Sequence, residues 1–209
     1  MQKLSSVICL ILLLLYQTNA GANNSAIKVL ILGDSLSAAY NIPVDRSWPQ
    51  LFSEQLTAKI PQADVINASI SGETTYGGLQ RLPQLLKQYA PSHLIVELGG
   101  NDGLRGLDFT QTTENLRGMV ELAQQQGITL LLIGVRMPPN FGPTYNNRFA
   151  QIFETVSNQY SIAYLAKFLD GIAASDADLM QADGIHPTAL AQPILARKVL
   201  SQILALIDQ

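Results

Sequence analysis

Five apolar runs of strand length recur along this chain, at residues 27–32, 64–68, 93–98, 129–135 and 161–165. Between them stand longer segments with helical spacing, at 48–59, 77–89, 112–126 and 146–160, and a last one at 188–207 closes the chain. Most of the runs are apolar on both faces, so a sheet built from them has to be covered by helices on both sides. Strands alternating with helices connect through β-α-β units, which makes the sheet parallel and the fold class α/β. Local signals mark several boundaries. Ser47 precedes the first helix as a candidate cap, with Pro49 in its first turn. Gly127 sits where a helix stops before a strand, and Pro193 is placed to kink the last helix. Glu97 breaks the apolar pattern of the third run, and a buried, hydrogen-bonded carboxylate is a better reading of it than a catalytic one.

The start of the chain has a different character. Val7 to Tyr16 is unbroken apolar sequence, preceded by Lys3 and followed by Ala20-Gly21-Ala22. A basic start, a short apolar core and small residues at the end read as a secretory signal peptide over residues 1–22. Cleavage is expected after Ala20 or Ala22, with Ala22 fitting the small-x-small pattern better. The apolar run is too short for a bilayer span, which needs about 20 residues. Residues 23–209 are then one domain, exported to the periplasm or secreted, with no membrane span once the leader is gone. The leader carries one basic residue and no acidic one, so the net charge of −3 becomes −4 without it. That charge leaves no basic footprint for nucleic acid. The single cysteine, Cys9, leaves with the leader, so no disulfide is available and the apolar core alone must hold the domain.

In an open parallel sheet the ligand site lies beyond the carboxyl ends of the strands. The segments there are Gly33-Asp34-Ser35-Leu36-Ser37, Ser69-Ile70-Ser71-Gly72-Glu73-Thr74 and Gly99-Gly100-Asn101-Asp102-Gly103, joined near the end by Asp183-Gly184-Ile185-His186-Pro187. A serine nucleophile needs a base within hydrogen-bond reach and an acceptor that orients the base. Ser35 follows the first strand on a tight strand-to-helix turn, although G-D-S alone would read as a helix cap. Of the two histidines, His93 opens a strand at the opposite edge and is read as structural. His186 is therefore the preferred base, with Asp183 three residues before it as its partner. The backbone amides of Ser35 and Gly72 and the carboxamide of Asn101 are candidate oxyanion donors. Gly72 taken alone reads equally well as a turn residue, and Asn101 as a turn former. Asp34 is expected to accept amide hydrogens within its own loop.

These segments, in this order, resemble the GDSL family, also called SGNH hydrolases, over nearly the whole chain after the leader. The naming residues fall on Ser35, Gly72, Asn101 and His186, and the likeness is nearest to thioesterase, lysophospholipase and arylesterase members. The resemblance implies a three-layer α/β/α sandwich around a five-stranded parallel sheet of flavodoxin-like order. It also implies a Ser35–His186–Asp183 triad, an oxyanion hole from Ser35, Gly72 and Asn101, and hydrolysis of small acyl esters or thioesters through an acyl-enzyme. No cofactor and no metal is implied, and the enzyme is expected to be a monomer. The segments 74–78 and 141–144 depart from the nearest relatives, so the acyl preference does not transfer.

Other readings fit less well. A carbohydrate or aryl-ester deacylase on the same site stays open. A metal phosphoesterase lacks the histidines it needs. A flavodoxin-like phosphate-binding module would show no use for Asp183 and His186 together, and no G-x-x-x-x-G-K-[ST] pattern is present. An α/β-hydrolase would need a G-x-S-x-G elbow, and Ser37 stands where its second glycine belongs. Finally, Gly103-Leu104-Arg105-Gly106-Leu107 sets two leucines among glycines beside Asn101. They are expected to form a mobile lip whose Leu104 and Leu107 touch the acyl chain, with packing on the core as the competing reading.

Overall fold

The computed structural model describes residues 27–172 and 177–208, and the expected leader lies outside them. Strands β1 (Lys28–Gly33), β2 (Asp64–Asn67), β3 (His93–Glu97), β4 (Thr129–Ile133) and β5 (Ala163–Leu165) form one sheet in the order β2-β1-β3-β4-β5. All four neighbouring pairs are parallel. The chain leaves β1 toward β2 on one side and returns to β3 on the other, so the carboxyl ends of β1 and β3 flank the crevice where such sheets bind ligands.

Alternation along the central strands sorts the core. Leu30, Leu32, Leu94, Val96, Leu130 and Leu132 face α2 (Thr75–Tyr89), α4 (Phe109–Gln125) and α5 (Pro143–Tyr160). Val29, Ile31, Ile95, Leu131 and Ile133 face α1 (Trp48–Lys59) and α6 (Gln192–Ile207). Side chains alternate between faces with period two, which is why these strands had to be apolar throughout. On the second face, Trp48 and Phe168 meet edge-on at 5.7 Å, both essentially without access to water. Each such buried side chain contributes roughly 1.5–3 kcal/mol. Among the described residues, no helix is long and apolar enough to cross a membrane.

Several helix ends depart from their local signals. Ser47 makes no side-chain cap to α1; its hydroxyl donates instead to the Val44 carbonyl at 2.7 Å. The Trp48 amide is satisfied by Gln192 Oε1 from α6, at 2.9 Å, a partner no local pattern reveals. Pro193 does not kink a helix, because α6 starts at Gln192 and the proline occupies its first turn, where no amide is required. The proline that does lie inside a helix is Pro83, in α2. Thr74 caps α2 through the Gly77 amide, and Asp108 caps α4 through the amides of Thr110 and Gln111. Both helices thus begin two or three residues earlier than their apolar spacing indicates. A short helix, α3 (Gly100–Leu104), follows Gly99, whose φ of 113° provides the sharp exit from β3.

Glu97, the last residue of β3, is fully buried. Its Oε2 accepts from the Ser37 hydroxyl at 2.7 Å and from the Asp34 amide at 3.4 Å, while Oε1 has no partner among the described residues. Burial, and after it the neighbouring charge of Asp34, raises the Glu97 pKa well above its usual value against the opposing effect of the Ser37 hydroxyl. Burial and the neighbouring Asp34 thus favour the neutral acid at Glu97. A folded pKa above the unfolded one gives stability that is complete below the unfolded value and is lost as pH rises through the folded one. Glu97→Gln keeps the neutral shape without the proton. Thermal melts from pH 5 to 8 should show the variant gaining on wild type as pH rises, by up to about 1.4 kcal/mol per pH unit. Parallel melting curves at all pH values would contradict a neutral Glu97.

Candidate active site

The four post-strand segments converge at the carboxyl edge of the sheet. Ser35 stands just past β1, in a turn held by the Ser37 and Ala38 amides, both donating to the Asp34 carbonyl. The turn runs on as turns to Asn41 rather than entering a helix directly; α1 begins only at Trp48. The turn lies so close to β1 that a Cβ on Gly33 would sit 2.6 Å from Ser37 Oγ. Only glycine fits there. Asn67, at the end of β2, donates its Nδ2 to the Ser37 carbonyl at 2.8 Å and pins the turn from the other side.

His186 comes from the far end of the chain. An isolated bridge between Met180 and Pro187, with the Gln181 amide donating to the His186 carbonyl, folds residues 180–187 into a tight hairpin. Inside it Asp183 Oδ1 accepts the amides of Ile185 and His186 at 2.9 and 3.0 Å. Asp183 Oδ2 lies 2.7 Å from His186 Nδ1, and His186 Nε2 lies 2.8 Å from Ser35 Oγ. Partial burial pushes the Asp183 pKa up, but the two amides and the imidazole outweigh it and leave the carboxyl below its ordinary value. It is ionised at neutral pH, a fixed acceptor for the imidazole Nδ1–H.

Asp34 connects the Ser35 turn to the third segment. It is almost fully buried; Oδ1 accepts the Leu36 amide at 3.0 Å and Oδ2 accepts Asn101 Nδ2 at 3.1 Å. Burial raises its pKa to about 6, against the lowering influence of the Leu36 amide, Asn101 and His186. One amide hydrogen of Asn101 is thereby occupied and the other is left for a ligand. Gly72 turns in the left-handed region at φ 81°, a conformation that suits glycine. Among the described residues, none accepts from the backbone N–H of Ser35 or of Gly72. The amides of Ser35 and Gly72 and one amide hydrogen of Asn101 thus remain to be used, with Arg105 joining the Gly72 carbonyl to Asn101.

Asp102, the buried neighbour of Asn101, accepts from the Thr75 amide at 2.9 Å and the Thr75 hydroxyl at 2.5 Å. It locks α3 to the start of α2. Beside these groups opens a cavity of about 640 Å³, lined in part by Ser35, Asn101, Leu104, Val135, Met137 and Ile185. Leu104 lines this cavity and also packs on the core, but it ends the helix α3 instead of riding on a loop. Leu107 is 42% exposed and is not part of the lining. His93 lies at the other edge of the sheet, buried, its Nδ1 2.9 Å from Ser92 Oγ. Two neighbours of the site carried no local signal. Tyr40 lays its ring 4.3 Å from the His186 imidazole, and Arg105 reaches Gly72 and Asn101. Only the folded turn after Ser35 and the helical spacing of Asn101 and Arg105 bring them there. Among the described residues, no group of three or more His, Cys, Asp or Glu could hold a metal ion.

Comparison with known proteins agrees with this geometry. The model of the GDSL-like lipase/acylhydrolase family matches residues 31–192. Esterase TesA of Pseudomonas aeruginosa is 42% identical over 191 residues, covering 91% of this chain and 92% of that protein. Thioesterase 1/protease 1/lysophospholipase L1 of Escherichia coli K12 is 40% identical over 184 residues, 88% of this chain and 86% of that one. The crystal structure of TesA superposes with a TM-score of 0.81 at 41% identity, over 84% of this chain and 97% of the other. That of a psychrotrophic esterase, EstA from Pseudoalteromonas, solved with monoethylphosphonate as inhibitor, gives 0.82 at 38%, over 87% and 99%. With the family pattern spanning the sheet and all four segments of the site, the chain belongs to the GDSL-like lipase/acylhydrolase family.

Proposed function

We propose that this protein hydrolyses acyl esters and thioesters through an acyl-enzyme on Ser35. The observation that carries the reading is the continuous relay from Ser35 Oγ through His186 to Asp183, at 2.8 and 2.7 Å, opening on the cavity. With Nδ1–H donated to Asp183, His186 Nε2 is the free lone pair and takes the Ser35 proton as Oγ bonds to the substrate carbonyl carbon. The carbonyl electron pair moves onto its oxygen, which the amides of Ser35 and Gly72 and the second Nδ2 hydrogen of Asn101 receive. Collapse expels the alcohol or thiol, protonated by the imidazolium. Water, deprotonated by the same imidazole, then attacks the acyl carbon; the Ser35 Oγ–carbonyl bond breaks, the acid leaves and Ser35 takes its proton back from His186. Residues 1–22 are proposed as a cleaved leader that sends the domain at 23–209 to the periplasm or outside the cell.

The acyl chain is proposed to lie along the cavity wall formed by Leu104, Val135, Met137 and Ile185. Leu107, exposed beyond the lining, would meet only a chain that extends past the rim.

Three outcomes follow from these roles. Ser35→Ala should abolish hydrolysis of p-nitrophenyl esters while the melting temperature holds, and a fluorophosphonate should label Ser35 alone by peptide mass spectrometry; labelling elsewhere would overturn the assignment. Asn101→Ala should lower kcat by about 10²–10³-fold with a much smaller change in KM. A purely structural Asn101 would instead lower the melting temperature and leave kcat near wild type. Leu104→Ala should reduce kcat/KM for the octanoyl ester roughly three- to tenfold, since a buried methylene contributes about 0.8 kcal/mol, and spare the acetyl ester. Equal losses on both esters would place Leu104 in the core only.

A further inference from the structure

Arg105 is exposed and belongs to no ion pair among the described residues, yet its guanidinium is not free in solvent. A single nitrogen, Nη2, donates to the Gly72 carbonyl at 2.9 Å and to Asn101 Oδ1 at 3.4 Å. Those two acceptors belong to different connections, one following β2 and the other following β3. Arg105 stands one helical turn after Asn101, its own amide donating to the Asn101 carbonyl at 3.1 Å, and residues four apart on a helix share a face. Asp34 holds one side of the Asn101 carboxamide, at Nδ2. Arg105 holds the other side, at Oδ1, which fixes the plane of the amide and which end faces the substrate.

The turn at Gly72 is closed by the Glu73 amide, which donates to the Ile70 carbonyl at 3.1 Å. Its neighbours are tied down, Ile70 by its amide to the Gly33 carbonyl and Glu73 by its ion pair with Arg81 at 2.7 Å. At Gly72 itself, the carbonyl is held by Arg105. An oxyanion hole works because its donors are aimed before charge develops, so that no reorganisation is needed in the transition state. Asp102 joins the two connections at Thr75, and Arg105 adds the contact that reaches Gly72 itself.

We propose that Arg105 is a positioning residue of the oxyanion hole, clamping the Gly72 carbonyl and the Asn101 carboxamide so that their N–H donors converge on one point. This rests on the reading of Gly72 and Asn101 as oxyanion donors. The clamp acts on the transition state more than on the bound ester, so its loss falls on kcat. Its bonds are charge-assisted, and no neutral side chain of similar length replaces them.

The test is Arg105→Met in the wild type and in the Asn101→Ala background, with kcat expressed per active site titrated by a fluorophosphonate. In wild type, kcat for p-nitrophenyl acetate should fall about tenfold with KM within about twofold and an unchanged melting temperature. In the Asn101→Ala background the same substitution should cost less than about threefold, because one of the two clamped groups is already gone. An unchanged kcat per titrated site would overturn the proposal. So would a rise in KM alone, which would make the guanidinium a substrate contact, or equal losses in both backgrounds. If wild type neither hydrolyses esters nor takes up the label at Ser35, the underlying hydrolase reading fails instead.

Discussion

A carboxyl group with no access to water, Glu97, sits at the centre of this structure. Glu97 ends β3 directly beneath the nucleophile turn and receives the Ser37 hydroxyl and the Asp34 amide on one oxygen. Asp34, buried beside it, holds the Leu36 amide on one side and the Asn101 carboxamide on the other. Two ionised carboxylates so poorly solvated would repel strongly, and keeping one as the acid removes that repulsion. The arrangement joins β1, β3 and the two segments that follow them into one hydrogen-bonded unit. Ser35 is held at its neighbours on both sides, so its own amide stays open and its hydroxyl faces His186.

Around that unit, each remaining group is delivered by a different route. Gly72 arrives on the connection after β2, tied to the nucleophile turn through Asn67 and to β1 through the Ile70 amide. Asp102 fastens α3 to α2 through Thr75, and Tyr145 from α5 donates its hydroxyl to the Gly103 carbonyl at 2.7 Å. His186 is brought from the last connection by a hairpin, and Gln181 within it donates to the Tyr40 carbonyl at 3.1 Å, beside the ring that covers the imidazole. The parallel sheet makes this convergence possible. Every strand ends on the same edge, so residues separated by 151 positions, such as Ser35 and His186, meet there.

The charges are distributed to suit acyl transfer. Asp34 is the buried carboxylate that meets Asn101, at the amide hydrogen opposite the one that stays free. Asp183 stays ionised because the cost of its partial desolvation is outweighed by the amides of Ile185 and His186 and by the imidazole. The cavity wall next to Ser35 is largely aliphatic, with Leu104, Val135, Met137 and Ile185 facing it. An apolar wall beside polar donors suits a substrate that is an acyl chain at one end and a carbonyl at the other.

The amino-acid pattern by itself determined the α/β class, the five strands and the segments that carry Ser35, Gly72, Asn101, Asp183 and His186. It could do so because strands buried on both faces must be continuously apolar, and because tight turns at their ends restrict the residue types allowed there. The first helix and the stop at Gly127 were legible for the same local reasons. Where the deciding partner is remote in sequence, local reading went astray. Ser47 looked like a cap until Gln192, 144 residues away, took the Trp48 amide, and Pro193 looked like a kink until α6 began one residue before it. The helix α3 was read as a loop because glycines disfavour helices in isolation, whereas here Gly103 is packed against Met137 and Phe149, where a side chain would collide. Glu97 was legible as a buried, hydrogen-bonded carboxyl, but its partners Ser37 and Asp34, and the places of Tyr40 and Arg105, were decided by tertiary structure alone. A ring over an imidazole and a guanidinium between two loops depend on distances that no spacing along the chain encodes.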